Sequence, residues 1–256
     1  METSRRDFIR KVGLTGLAAM ISPKIFSAKD SVQSSQDFNN SKGLTILFQG
    51  DSITDGNRTR DNDWNHIMGH GYTYLIASRL WYDYTDKNLM FYNRGTSGNR
   101  VRDLDARWQQ DTLDLKPDVV SILVGVNDVF ATIKNYNPET IEQFEETYKR
   151  ILDKTLEVLP NTQIVLCEPF ILPLGRVNEK PEIWQTEILK QQQIIRKLAE
   201  IYPTTFIELQ QPFKDACKIA PADYWIWDGI HPMPAGHELI ARHWIKEVRK
   251  KLTFIK

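Results

Sequence analysis

Short apolar runs alternate along most of this chain with longer segments of helical periodicity. Residues 45–49, 89–92, 119–124 and 163–167 are such runs, and residues 205–209 form a weaker fifth. Each is strand length and is bounded by Gly, Pro or short polar residues, as expected for strands buried on both faces. Between them, residues 72–81, 101–115, 138–159, 181–202 and 234–252 carry apolar side chains at three- and four-residue spacing, the mark of amphipathic helices. Pro138 and Pro181 suit first-turn positions, where a missing N–H costs nothing. Strands separated by helices pair in parallel through right-handed crossovers, with helices on both faces. The expected architecture is a three-layer α/β/α sandwich around a central, mainly parallel five-stranded sheet.

In such sheets the chemistry gathers outside the carboxyl ends of the strands. The first three ends read Gly50-Asp51-Ser52, Asn93-Arg94-Gly95 and Gly125-Val126-Asn127-Asp128. All carry Gly and short polar residues that could meet in one crevice. The chain has 256 residues and 41% hydrophobic content, enough for one sizeable core. Lys plus Arg and Asp plus Glu both total 33, so no basic excess points to nucleic acid. No apolar run is long enough to span a bilayer. Cys167 and Cys217, the only cysteines, do not make a disulfide scaffold, and Cys167 reads as a small buried hydrophobe.

The charge is unevenly placed. Arg5, Arg6, Arg10 and Lys11 precede a short, mildly apolar run over residues 12–21. A basic segment followed by such a run is the pattern of a cleaved export signal, and the paired arginines resemble the twin-arginine type. Residues 1–28 are expected to be that signal, which places the mature protein in the periplasm or outside the cell, without stable membrane insertion. Residues 29–42, rich in Ser, Gln, Asn and Asp, read as a linker, and the folded domain as residues 43–256.

Ser52 follows a buried strand and one Gly, so a sharp turn could present its hydroxyl clear of the sheet beside backbone N–H groups. A plain helix cap or phosphate-binding turn would read the same way. A serine hydroxyl needs a base. His66 and His70 flank glycines without a third ligand, so they do not read as a metal site. His237 and His243 fall in the last helical segment as packing or capping residues. His231 lies in Asp228-Gly229-Ile230-His231-Pro232, where a tight turn lets the Asp228 carboxylate meet one ring nitrogen and leaves the other for Ser52. Acyl transfer also needs oxyanion donors: the Ser52 N–H, the Gly95 N–H and the Asn127 amide are the candidates. Asp51 and Asp128 read as structural hydrogen-bonding residues. Trp64 and Trp227 are candidate substrate-binding aromatics, although packing under the site is as natural for tryptophans here.

Four ordered segments, Gly50-Asp51-Ser52-Ile53, Asn93 to Asn99, Gly125-Val126-Asn127-Asp128 and Asp228 to Pro232, resemble the SGNH or GDSL-type hydrolases. The resemblance implies their flavodoxin-like fold, a Ser–His–Asp triad of Ser52, His231 and Asp228, and no metal or other cofactor. Gly69-His70-Gly71-Tyr72, the stretch from Asn93 to Trp108, and Pro232 to His237 look like the acetylxylan esterase branch. The activity this implies is hydrolysis of short acyl esters, O-acetyl above all, on an acylated oligo- or polysaccharide partner. A lysophospholipase or thioesterase would use the same triad, and an inactive glycan-binding module is the alternative of another class. Homo-oligomerisation is left open.

Overall fold

The structure is a computed structural model that describes residues 43–61, 63–252 and 255. The expected export signal and linker lie outside the described residues. The chain enters the sheet with β1 (Thr45–Gly50) and turns at once into a single helical turn, α1 (Ser52–Asp55). Next come α2 (Tyr72–Asp83), β2 (Met90–Asn93), α3 (Val101–Asp111), β3 (Val119–Leu123) and α4 (Val126–Lys134). They are followed by α5 (Ile141–Val158), β4 (Gln163–Cys167), α6 (Pro181–Ile201) and β5 (Thr204–Ile207). Two short helices, α7 (Gln210–Ala216) and α8 (Ala222–Trp225), lead to α9 (Pro234–Val248). The five strands are parallel in the order β2-β1-β3-β4-β5.

Alternation along the strands divides the core in two. Ile46 and Phe48 of β1, Val119 and Leu123 of β3, and Val165 and Cys167 of β4 face a layer built on α2 and α9, with Tyr72, Ile76, Ile240 and Trp244. Leu47, Val120, Ile122, Ile164 and Leu166 face the opposite layer of α3, α5 and α6, with Trp108, Tyr148, Ile151, Ile195 and Leu198. Both faces are therefore covered, which is why the strands read as continuous apolar runs. With Thr45, Gln49 and Asn93, Ser121 is one of the polar residues buried in the strands. Its hydroxyl accepts from Trp244 Nε1 at 3.0 Å, so the buried indole N–H is satisfied. Cys167 and Cys217 are free thiols, and burial pushes the Cys167 thiol up to about 12.

Three helical expectations change. The segment at 101–115 breaks at Thr112, where α3 ends and a separate 3₁₀ turn (Leu113–Leu115) begins. The helix expected from Pro138 starts instead at Ile141. Thr140 caps it, its hydroxyl accepting the Gln143 N–H at 3.3 Å while Gln143 Oε1 accepts the Thr140 N–H at 2.9 Å. That reciprocal cap outweighs the proline two residues earlier. Helix α4, absent from the periodicity reading, begins directly at the end of β3. Pro181, by contrast, does occupy the first turn of α6.

Candidate active site

Ser52 is the first residue of α1, and Asp51 is its cap. The Asp51 carboxylate accepts the Ile53 N–H at 3.0 Å, and its burial pushes that carboxyl up to about 7. Asp51 thus shapes the turn. The first N–H groups of a helix have no intrahelical partner, and the Ser52 N–H has none among the described residues. The Ser52 hydroxyl lies 2.8 Å from His231 Nε2.

His231 is held by its own loop. Asp228 Oδ1 accepts the N–H groups of Ile230 at 3.0 Å and His231 at 2.8 Å, closing a tight turn. Asp228 Oδ2 lies 2.8 Å from His231 Nδ1. An ionised carboxylate only accepts, so Nδ1 carries the proton and Nε2 is free to accept from the Ser52 hydroxyl. Burial works against the Asp228 charge, but the His231 N–H, its ring and the Ile230 N–H outweigh it and hold the carboxyl below its ordinary range. A second segment braces the loop: Leu172 N–H donates to Gly229 O at 3.0 Å and Arg176 N–H to Asp228 O at 3.2 Å. The Arg176 guanidinium also reaches Asp228 Oδ2 at 2.9 Å, so that oxygen meets both the imidazole and a cation. Nothing near Asp228 in the sequence announces Arg176.

The strand-end loops converge as expected, with one correction. Arg94 N–H donates to Phe48 O at 2.8 Å and Thr96 N–H to Gly50 O at 3.0 Å, laying the loop after β2 along the end of β1. Gly95 is buried within it. Its N–H donates to Asn93 Oδ1 at 2.9 Å, and a Cβ there would lie 2.3 Å from the Asp55 backbone nitrogen. Gly95 is therefore a close-packing glycine with a spent amide, not the open donor expected of it. Gly98, three residues on, has the complementary properties. Its φ is +83°, nothing lies within 4 Å of the Cβ it lacks, and its N–H has no partner among the described residues. The identical residue type and short spacing concealed which glycine was open.

Asn127 Nδ2 donates to Asn99 O at 3.1 Å, which joins α4 to the residue after Gly98. An amide NH₂ has two hydrogens, so one fixes the side chain and the other remains to point at a ligand. Asp128 instead is buried, its Oδ1 accepting the Val101 N–H at 3.3 Å, and burial raises its carboxyl well above the usual range. Asp55 ties the same loop to α1: it accepts from the N–H and hydroxyl of Ser97 at 3.0 and 3.1 Å and pairs with Arg60 at 2.6 Å.

The remaining histidines separate as expected. His237 Nδ1 accepts the Tyr72 N–H at 3.2 Å and so caps α2, and burial with His70 and His231 nearby brings its imidazole down to about 4. His66 pairs with Asp63 on the surface. Trp227 is exposed, and its ring stacks on that of His231 at 6.0 Å and 26°. Trp64 is exposed at the mouth of a cavity beside the ends of β2 and α1. Trp225 packs against the core with Nε1 donating to Ala220 O.

Comparison with known proteins places the chain in a family. Residues 48–239 match the GDSL-like Lipase/Acylhydrolase family. An acetylxylan esterase of Geobacillus stearothermophilus is 31% identical over 212 residues, covering 80% of this chain and 94% of that protein. Its crystal structure superposes with a TM-score of 0.72, at 30% identity over 81% of this chain and 95% of that one. A GDSL-like protein from Parabacteroides merdae superposes with a TM-score of 0.77, at 41% identity over 81% of this chain and 96% of that one. On sequence and fold together, the chain belongs to the GDSL-like lipase/acylhydrolase family and is a carboxylic ester hydrolase.

Proposed function

We propose that this esterase removes short acyl groups, O-acetyl above all, from carbohydrate through Ser52, His231 and Asp228. The observation that carries the reading is the continuous contact from Ser52 Oγ to His231 Nε2 at 2.8 Å and from His231 Nδ1 to Asp228 Oδ2 at 2.8 Å. In this mechanism Ser52 Oγ attacks the ester carbonyl while its proton passes to His231 Nε2. Asp228 holds the ring in the required tautomer and stabilises the imidazolium. The negative charge gathering on the carbonyl oxygen is met by the Ser52 N–H, the Gly98 N–H and the second hydrogen of Asn127 Nδ2. His231 returns the proton to the leaving alcohol, and the acyl group stays on Ser52. Water, deprotonated by His231, then attacks the acyl carbonyl, and Ser52 leaves with the proton restored.

The carbohydrate half of the proposal is supported by the kinship with the acetylxylan esterase and by the exposed face of Trp227 beside His231. Aromatic faces suit the apolar faces of sugar rings. An export signal over residues 1–28 fits the same substrate, because polysaccharides are met outside the cytoplasm. The test is acetate release from acetylated xylo-oligosaccharides by the wild type and by Ser52→Ala. The wild type should release acetate, and the variant should lose several orders of magnitude of turnover. Near-normal turnover by Ser52→Ala refutes the mechanism. A wild type that hydrolyses octanoyl esters far faster than acetyl esters, and spares every acetylated glycan, refutes the substrate.

A further inference from the structure

A cavity of about 340 Å³ opens at the same end of the sheet as Ser52, between the end of β2 and the segment that follows α1. Arg58, Arg60 and Arg94 line it together with Trp64 and Tyr92. Its volume lies at the lower end of small-ligand pockets, roughly 300–1,000 Å³.

The three guanidinium groups are not equivalent. Arg60 is neutralised by Asp55, with Nη1 and Nη2 on the two carboxylate oxygens at 2.9 and 2.6 Å. Arg58 and Arg94 make no ion pair among the described residues. Arg58 Nε donates to Gly95 O at 3.0 Å and one Nη donates weakly to Thr59 O at 3.4 Å, leaving its other terminal nitrogen without an acceptor. Arg94 Nε is fully buried and has no hydrogen-bond partner, while the guanidinium lies over the Tyr92 ring with its carbon 5.6 Å from the centroid. Burial, with Arg60 and Arg94 adding like charge, pulls the Arg58 guanidinium down to about 10. Asp61 is the one carboxylate on the cavity wall, and it is engaged by the Thr59 hydroxyl and the Asp63 N–H.

Buried donors without acceptors are rare in folded proteins and call for a reason. The orphaned Arg94 Nε, beside an Arg58 guanidinium without an ion pair among the described residues, supplies it if an anion completes the site. Their forked donors match a carboxylate, and the Trp64 face beside them matches a sugar ring. The cavity also belongs to the ester site mechanically, because Arg58 holds the loop that continues from Gly95 to Gly98.

We propose that this cavity is a subsite for an anionic sugar, so that the acetylated glycan this esterase acts on carries uronate carboxylates or sulfate esters, seated on Arg58 and Arg94. The proposal rests on the carbohydrate reading above and narrows it from neutral to acidic chains.

The test compares kcat/KM for acetate release from three oligosaccharides of equal length: acetylated and neutral, acetylated with a uronate residue, and acetylated with a sulfate ester. The readout is the ratio of acidic to neutral substrate, in which a general loss of activity cancels. For the wild type one acidic substrate should be preferred by about tenfold or more, and whichever is preferred identifies the anion. Raising salt to about 0.5 M should reduce the preference, since a part-exposed ion pair is screened. Arg94→Gln should bring the ratio close to one, and Arg94→Lys should recover part of it. The salt dependence of the wild type keeps the test decisive should the variants not fold. Equal rates on all three substrates overturn the acidic subsite and leave the carbohydrate reading intact. Release from none of them, with p-nitrophenyl acetate still hydrolysed, overturns both.

Discussion

Replacing Arg176 by alanine should cost a small, salt-sensitive part of the stability. The guanidinium reaches Asp228 Oδ2 at 2.9 Å, and the same oxygen lies 2.8 Å from His231 Nδ1. Arg176 is 41% exposed, so a high effective dielectric applies. At an effective dielectric of about 40 to 80, unit charges roughly 3 Å apart attract by about 1.4–2.8 kcal/mol. Ordering the long side chain and screening by salt take back most of that, so a part-exposed pair retains about 0.2–1 kcal/mol. The assay is urea unfolding of the wild type, Arg176→Ala and Arg176→Lys at low and high salt. Alanine should lose about that amount at low salt, lysine should restore most of it, and high salt should narrow the difference. The Arg176 N–H still donates to Asp228 O in every variant, so the backbone brace of the loop is kept. Turnover of p-nitrophenyl acetate by Arg176→Ala should therefore fall by less than about tenfold. A stability loss that salt does not change would refute the electrostatic reasoning, and a loss of several kcal/mol would show that the side chain holds the loop itself.

Gly95→Ala should cost about 3 kcal/mol or more in urea unfolding, because its Cβ would meet backbone that cannot yield. Gly98→Ala should cost only about 1 kcal/mol, the penalty of its positive φ in open space; equal costs would contradict the assignment of the two glycines. Burial disfavours the Asp55 charge, but Arg60 and Ser97 outweigh it and hold its carboxyl below the ordinary range. The stability this confers is complete above the unfolded value, about 3.9, and fades as pH falls through the lower folded value. Asp55→Asn should therefore flatten the pH dependence of the melting temperature in that acidic window, and an unchanged slope would dissociate Asp55 from acid stability.

The strands were legible because the inner three, β1, β3 and β4, are buried on both faces and so run nearly continuously apolar, while the half-buried edges β2 and β5 read more weakly. Only their ends moved, by a residue or two. Helix α4 escaped because it starts directly after Gly125, in a stretch whose polar residues read as a loop. The contact of Asp228 with His231 was legible for a different reason: a tight turn brings side chains three residues apart within reach, and the Gly after Asp228 permits one. The open glycine was not, since Gly95 and Gly98 differ in packing and not in kind. Arg176 is 52 residues before Asp228 and in no motif with it, so only the folded backbone, which joins Arg176 N–H to Asp228 O, brings it to the site.

The parallel sheet has a consequence for how such a protein can change. Every segment that touches the ester site leaves the carboxyl end of a strand or enters α9, while the opposite rim is fastened separately. There Asp118 accepts the Thr45 N–H at 2.8 Å, and the Thr162 hydroxyl donates to Pro117 O at 2.6 Å. Substitutions over residues 58–64 can therefore remodel the pocket wall while these fastenings stay untouched. A library restricted to the described residues of that stretch varies the arginine-lined pocket while the contacts of the opposite rim are kept.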